Sequence, residues 1–433
     1  MKHYFQFEKN GTGYRQELLA GLTTFLTMAY IIVVNPAILE AAGIPKGPSM
    51  VATIHSAAFG TLIMGVIAKR PFGIAPYMGE NAFIAFTVVK VLGYSWQAAL
   101  GAIFLAGVVF TILTLLKVRG WLAEAIPLNL KYAFAVGIGL FLTFVGLGEI
   151  GVVTLGVPGA PVSLGNLRSL PTLLGIGGFL LTAILHVRKV RGSLILGILA
   201  VTIASILLGV TPLPESVISL PPSITPILGQ LDIRGVLTLK AFPVVLIVFV
   251  MAFLDTIGTL IGLSARAGFL DAKGNLPDIE KPLLVDALAN IAAPILGTTT
   301  SGVYIESASG IEEGGRTGFT AIVVAFLFLL ALFFTPLLTI VPAHAYGPVL
   351  ILIGSFMLSA VTKLDFDDYT ELVPAFLTIT LVSFTYNIGV GITAGLLVYP
   401  VLKLATGRAK EVPAAVWFLA AMSLLFYVVY PYR

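Results

Sequence analysis

Apolar stretches of 16 to 24 residues, nearly free of charge, follow one another along the whole chain. Each is long enough to cross a hydrocarbon core of about 30 Å as a helix. A chain built from such stretches has no water-soluble fold open to it. Composition agrees: of 433 residues, 58% are apolar and only 11% charged, against about 25% charged in soluble domains. Soluble enzymes, disordered chains and nucleic-acid-binding proteins are excluded. The net charge of +4 comes mostly from basic residues at the ends of the apolar stretches, where membrane proteins place them. It calls for no acidic partner.

Hydropathy, punctuated by Pro, Gly and charge, predicts an all-α polytopic membrane protein of 14 spans. They are 17–36, 50–69, 75–93, 96–117, 129–148, 171–187, 192–209, 241–263, 282–297, 298–313, 317–341, 345–362, 371–387 and 388–405. A further apolar stretch, 413–430, either lies in the interface, re-enters or crosses as a fifteenth span. With the N-terminus in the cytoplasm and the spans alternating, 19 Lys and Arg fall inside and 5 outside. That bias is the positive-inside pattern of a multi-pass protein of the inner (plasma) membrane. The chain is polar as far as Glu17 and shows no short apolar run before a small-residue cleavage site. No signal peptide is expected, and the first apolar segment is expected to span. With no cysteine, and with His3, His55, His186 and His344 in different segments, neither disulfides nor a metal site nor another cofactor is expected.

Two spans start abnormally. The third opens through Gly73-Ile74-Ala75-Pro76-Tyr77-Met78-Gly79-Glu80-Asn81, and the tenth through Gly297-Thr298-Thr299-Thr300-Ser301-Gly302-Val303-Tyr304-Ile305-Glu306-Ser307. Non-helical backbone at membrane depth is tolerated only where it is buried in protein or lines a cavity. The positions repeat: Tyr30 to Asn81 is 51 residues, and so is Asp255 to Glu306. Two seven-span halves place spans 3 and 10 in equivalent positions, and an odd number of spans inverts the second half. Interrupted segments at matching places in two halves point to a transporter's midplane site. Both segments are expected to begin extended and to meet, with their helical N-termini facing each other.

Asp255 lies mid-span with no basic residue within one turn. A carboxylate at the bilayer centre costs about 2.5–3.5 kcal/mol and marks a substrate or proton path by default. The bland alternative is an acid held by Thr256 or Thr259. Glu306 and Glu80 follow the two irregular openings, where they either serve the site or only compensate a helix dipole. Asn81 carries donor and acceptor on one short side chain and suits an amide-like ligand edge, or else caps its helix. Asp286, Asn290 and Asn387 either line the same cavity or bridge helices. His55 reads as a packed polar residue, Arg316 as an interfacial anchor, and Asp365, Asp367 and Asp368 as solvated. The turn Gly314-Gly315-Arg316-Thr317-Gly318 lacks the Lys-Ser/Thr of a phosphate loop.

At these residues the chain resembles the AzgA-like branch of the nucleobase–ascorbate transporter superfamily, permeases for hypoxanthine, adenine and guanine. The marks are the run from Leu22 to Pro36 with Tyr30 and Asn35, then Met78-Gly79-Glu80-Asn81-Ala82-Phe83, Asp255-Thr256-Ile257-Gly258-Thr259-Leu260, Tyr304-Ile305-Glu306-Ser307 and the glycine-rich turn at 314–318. The resemblance implies two inverted seven-span repeats. It implies a core domain, 1–120 (spans 1–4) with 241–343 (spans 8–11), and a gate domain, 121–240 (spans 5–7) with 344–433 (spans 12–14 and the C-terminal stretch). It also implies proton symport, core-against-gate motion and a homodimer formed mainly through the gate domains. By motif match the ligand residues are Asn81, Asp255 and Glu306. Two positions depart from the family pattern: Ala252 stands where many members have a second aspartate, and Glu80 where many have an apolar residue. Glu80 is therefore expected to replace the missing acid.

A purine fits such a site. Carboxylates accept from ring N–H or amino groups, while Asn81 and half-helix N–H groups donate to ring nitrogens or a carbonyl. Tyr30, Phe83, Phe253 and Tyr304 are available for stacking, with helix packing as their other role. Asp255, Glu306 and Glu80 are the candidates for the coupled proton. Uracil or xanthine is the alternative cargo. Acids at 80, 255 and 306 disfavour an anion. A membrane enzyme lacks its motifs, and no catalytic residues are expected. Acids gathered at one depth do not make the continuous polar pore of a channel.

Overall fold

The structure is a computed structural model that describes residues 3–116, 126–157, 160–214, 216–238, 241–270, 276–385 and 387–429. The first span is two helices rather than one. α1 (Tyr14–Met28) and α2 (Ile31–Ala41) are separated by a turn at Ala29–Tyr30. The Ile32 and Val33 amides bond three residues back, to Ala29 and Tyr30. Pro36 lies inside α2, where it has no N–H to offer the Ile32 carbonyl and its ring crowds that carbonyl. α3 (Lys46–Ile63) follows and ends in a π-helical turn, Met64–Ala68.

The two abnormal openings are extended, as expected. β1 (Ile74–Pro76) pairs antiparallel with β4 (Ser301–Val303) in the register Ile74↔Val303, Ala75↔Gly302, Pro76↔Ser301. Tyr77 N–H to Thr300 and Tyr304 N–H to Gly73, both 2.9 Å, extend the ladder at either end. Pairing inside the protein satisfies backbone groups that lipid cannot. Gly302 lets the Tyr77 ring lie directly over the strand, since a Cβ there would collide with that ring. β1 leads into α4 (Met78–Ala82) and a π-helical stretch, Phe83–Val91.

The remaining elements are helical apart from an exposed hairpin, β2 (Val153–Val157) with β3 (Ala160–Leu164). In chain order they are α5 (Trp96–Leu115), α6 (Leu128–Glu149), α7 (Leu170–Val187), α8 (Ser193–Leu207), the short α9 (Ile233–Val236), α10 (Phe242–Ala267) and α11 (Glu280–Leu296). After β4 come α12 (Ser307–Glu312), α13 (Gly318–Ala331), the short α14 (Thr335–Thr339), α15 (Ala343–Leu358), α16 (Tyr369–Phe384), α17 (Ile388–Ala405) and α18 (Ala414–Val429). Among the described residues, eight helical segments are long and apolar enough to cross a membrane. The stretch at 413–430 forms α18, which packs on α17 and is pinned by a 2.8 Å hydrogen bond from the Tyr427 hydroxyl to the Val390 carbonyl.

The β1–β4 pair packs against α2, α3, α10 and α11, α13 lies against α1 and α3, and α5 lies against α10 and α11. A second group joins α6 to α15 and α16, α16 to α17, and α7 to α8 and α15. The segment 216–238 falls within 121–240 in the grouping read from sequence. Its Ser219, Gly229 and Asp232 amides bond to the carbonyls of Phe333, Ile295 and Gln97. Ile227 is buried beside Leu39, Ile44 and Ala52. These contacts are all with residues of 1–120 and 241–343.

Candidate functional site

The strand pair fixes where the next residues go. One turn beyond β1, Glu80 and Asn81 are fully buried on α4. No other side chain among the described residues donates to either Glu80 oxygen. The charged group that acts most strongly on its carboxyl is Asp255 on α10. Asp286 acts on both electrostatically, and no lysine or arginine is among the groups acting on either. The sequence-predicted acids at 80 and 255 thus lie near enough to act on each other electrostatically.

Glu306, just before α12, stands apart from that pair. Its Oε1 accepts a 2.6 Å hydrogen bond from the Tyr30 hydroxyl at the break in the first span. Between the two acidic centres lies a tyrosine stack: Tyr77 and Tyr304 are parallel at 6.5 Å, and Tyr30 and Tyr304 lie 6.4 Å apart at 38°. The Tyr304 hydroxyl is committed to the Pro76 carbonyl at 2.7 Å. Tyr304 feels both Glu306 and Glu80, so it links the two centres. Phe83 and Phe253 are buried, and Phe253 packs into a phenylalanine cluster with Phe110 and Phe249. Helix packing accounts for Phe253.

Asn81 departs from its expected role as a donor. Its amide nitrogen donates to Asn35 Oδ1 at 2.8 Å, while its own Oδ1 is buried without a partner. Asn35 and Tyr77 carry no role in the sequence reading. The Asn-Pro step at 35–36 and the tyrosine inside the Gly/Pro opening are the signals that mark them.

The other polar candidates brace helices. Asp286 accepts from Thr256 at 2.8 Å, and Asn290 accepts the Ser301 amide at 3.0 Å, which ties α11 to α10 and β4. Asn387 caps α17. His55 bonds the Val51 carbonyl. Arg316 bonds the Ile311 and Gly315 carbonyls. Asp368 is not simply solvated but pairs with Arg408 at 2.6 Å. The glycine-rich turn binds an internal anion. Buried Glu17 on α1 accepts from the Arg316 amide, the Thr317 hydroxyl, and both the amide and hydroxyl of Thr320, at 2.6–3.1 Å. Gly318 lets this turn meet the Gly65 carbonyl closely.

Among the described residues no group of three or more His, Asp or Glu is placed to hold a metal ion. An apolar crevice lined by Ile126, Leu130, Phe134, Val250, Thr378, Ile392 and Leu396 holds none of the predicted site residues.

Buried acids beside paired broken segments, in a many-spanned helical protein, define a membrane transport protein. Residues 15–397 match the Permease family, and the chain belongs to it. It is 47% identical over 428 residues to the putative permease MJ0326 of Methanocaldococcus jannaschii, covering 99% of this chain and 98% of that protein. It is 40% identical over 439 residues to the guanine/hypoxanthine permease PbuG of Bacillus subtilis, covering 99% of each. It is 39% identical over 425 residues to the adenine permease AdeQ of Escherichia coli, covering 98% and 95%. The fold is similar to the transmembrane domain of a cyanobacterium bicarbonate transporter, BicA, with a TM-score of 0.64 at 16% identity, covering 88% of this chain and 97% of that one. The chain is therefore a multi-pass permease and not an enzyme, and the family resemblance read from the sequence is borne out.

Proposed function

We propose that the protein is a secondary active transporter that imports purine nucleobases, hypoxanthine, adenine or guanine, by proton symport. The observation that carries this reading is buried Glu80, acted on by Asp255 and followed by the unpartnered Asn81 carbonyl, with Glu306 bonded to Tyr30 at the other end of the tyrosine stack. A neutral, planar, donor-bearing heterocycle satisfies buried acceptors without bringing a countercharge. Two carboxyl groups within reach of each other at membrane depth cannot both stay ionised without a cation. They hold one proton between them, which gives the coupled ion a seat next to the cargo. Glu80, Asp255, Asn81 and Glu306 bind or couple. Tyr30, Tyr77 and Tyr304 supply ring faces and a hydroxyl. Phe83 is a further buried ring of the segment that carries Tyr77.

In this reading the 14 spans form two inverted repeats, the N-terminus is cytoplasmic and the protein resides in the plasma membrane. A core of spans 1–4 and 8–11, with residues 216–238 attached, slides against a gate of spans 5–7 and 12–14 that carries the homodimer contact. Support comes from the antiparallel β1–β4 pair at equivalent positions and from the two helix groups. The purine assignment draws on relatives named for guanine, hypoxanthine and adenine.

The test is uptake of labelled hypoxanthine in cells lacking their own purine permeases, competed by adenine, guanine, xanthine and uracil, with and without a protonophore. Competition by hypoxanthine's close relatives adenine and guanine, and collapse of accumulation with the protonophore, are expected. Competition by uracil or xanthine alone would transfer the assignment to those bases.

A further inference from the structure

The orientation of the Asn81 amide is set by a chain of hydrogen bonds that reaches it from outside the site. The Thr53 hydroxyl donates its one proton to the Ser49 carbonyl at 2.7 Å. It therefore has only lone pairs left for Asn35, whose Nδ2 lies 2.7 Å away. The same Nδ2 donates to the Thr298 hydroxyl at 2.9 Å. Both amide protons of Asn35 are thus spent, and its Oδ1 must face the other way, where it accepts from Asn81 Nδ2 at 2.8 Å. Turning either amide over would set carbonyl against carbonyl or strand a buried donor, a costly arrangement away from water. Asn35, Thr53, Thr298 and Asn81 are all essentially inaccessible to solvent. What emerges from this relay is one unpartnered acceptor, Asn81 Oδ1, one residue along α4 from Glu80, whose two oxygens also lack a hydrogen-bond partner.

We propose that Asn35 is the positioning residue that holds the Asn81 carbonyl toward the cargo, and that the site therefore selects a base edge with adjacent N–H donors, as in the N1–H and 2-amino groups of guanine. The inference rests on the nucleobase reading above and deepens it. Asn35 does not touch the base; it acts through Asn81. A base with a carbonyl at the same edge, as in xanthine, places an acceptor against acceptors. A site that hydrogen-bonds a given group rejects the analogue lacking it, because its own polar atoms are then left unpaired.

The experiment measures equilibrium binding of labelled guanine, and its displacement by unlabelled guanine and xanthine, on purified full-length protein. Wild type is expected to bind guanine at least about tenfold more tightly than xanthine. Asn35→Leu, which frees the Asn81 amide to turn, is expected to lower that preference at least about fivefold. Asn35→Asp, which keeps an acceptor for Asn81 Nδ2, is expected to retain it. Packing alone predicts the reverse order, with Leu tolerated and a buried acid not. In the Asn81→Ala background, Asn35→Leu is expected to have no further effect on the preference, as a double-mutant cycle requires of a residue that acts through another. Equal effects of Asn35→Leu with and without Asn81, or a wild type that prefers xanthine, would overturn the inference while leaving the transporter reading standing. A wild type that binds no purine would overturn both. If a variant at 35 does not fold, the wild-type preference and the Asn81→Ala change in it decide the question: an unchanged preference in Asn81→Ala overturns the inference.

Discussion

The Tyr30 hydroxyl reaches Glu306 Oε1 across 2.6 Å, joining two residues 276 positions apart at two separate breaks in helical backbone. Tyr30 sits at the turn that splits the first span, and Glu306 opens the short helix that follows β4. Each break frees the chain to aim one side chain at the other. A cargo that takes Glu306 as its acceptor binds beside this hydroxyl, which holds the carboxyl in place. Tyr30→Phe keeps the ring and removes the donor. We expect it to raise KM for purine uptake by roughly fivefold, the worth of one hydrogen bond, with a smaller change in maximal rate. Glu306→Gln should abolish concentrative uptake while the protein still reaches the membrane. Kinetics of both variants in vesicles check this; normal uptake by Glu306→Gln would leave the pair a structural brace.

The Glu80–Asp255 pair predicts how coupling fails. Asp255→Asn should abolish accumulation. Glu80→Leu removes one of the two seats for the shared proton, so purine exchange across the membrane should persist while proton-driven accumulation is lost. Ala252 lies one turn before Asp255 on α10, and Ala252→Asp restores an acid near the same place. The double variant Glu80→Leu with Ala252→Asp should recover part of the accumulation. Uptake against an imposed pH gradient is the measurement. Unchanged pH dependence in Glu80→Leu would mean that Glu80 only caps α4.

Which parts of this site were legible in advance follows from how local each cause is. The extended openings at 73–77 and 297–303 announce themselves, because Gly, Pro and a run of hydroxyl residues act on their own backbone. The acids at 80, 255 and 306 stand out because nothing else in their segments is charged. The break at Tyr30 has only Pro36, six residues later, as a sign. The Asn81 orientation, the Tyr77–Tyr304 stack and the Glu17 anchor have no local signature at all. Glu17 meets Thr317 and Thr320 across about 300 residues of chain, and only tertiary pairing reveals that an acid at the edge of the first span serves as the anion of a glycine-rich turn. Arg316 likewise carries the pattern of an interfacial anchor, and its bonds to the Ile311 and Gly315 carbonyls show only in the fold.

Lys403, buried on α17, gathers Glu371 at 2.9 Å, Glu411 at 3.1 Å and Asp368 at 3.6 Å. Arg408 adds bonds of 2.6 Å to Asp368 and 2.7 Å to Glu411. This cluster clamps the start of α16 to the end of α17 and to the segment that leads into α18. Hydrogen bonds from Arg408, and then Lys403, hold the Glu411 carboxyl down at about 2, against an ordinary 4.5. A folded-state value below the unfolded one gives stability that is present above about pH 4.5 and lost as pH falls toward 2. Thermal stability of the purified protein should thus be insensitive to the cluster's titration from pH 6 to 8 and fall below about pH 4.5. Lys403→Met leaves three acids facing one another without their central cation. It should lower Tm by roughly 5 °C, a modest loss because the acids keep some contact with solvent. An unchanged Tm would show that Arg408 alone neutralises the cluster.

The proposed motion of core against gate makes the Arg191–Glu313 pair informative. Arg191 lies in the turn between α7 and α8, and Glu313 directly after α12, with their side chains in an ion pair. In the proposed assignment the first is gate and the second is core, so sliding must separate them. As a partly exposed pair it is worth about 0–1 kcal/mol. Arg191→Gln should therefore change the transport rate by no more than about fivefold. A covalent link is another matter. The chain has no cysteine, so Arg191→Cys with Glu313→Cys can be bridged by a short bifunctional thiol reagent with no competing site. Bridging should stop uptake while leaving purine binding intact, and cleaving a reducible bridge should restore uptake. A bridge placed within the proposed gate, Glu149→Cys with Tyr346→Cys, where a 2.8 Å hydrogen bond marks the proximity, should leave transport running. Uptake that survives complete bridging between 191 and 313 rules out relative motion of the two groups at that surface. Loss of uptake by the 149–346 bridge as well would point to reagent damage, or to movement inside the gate itself.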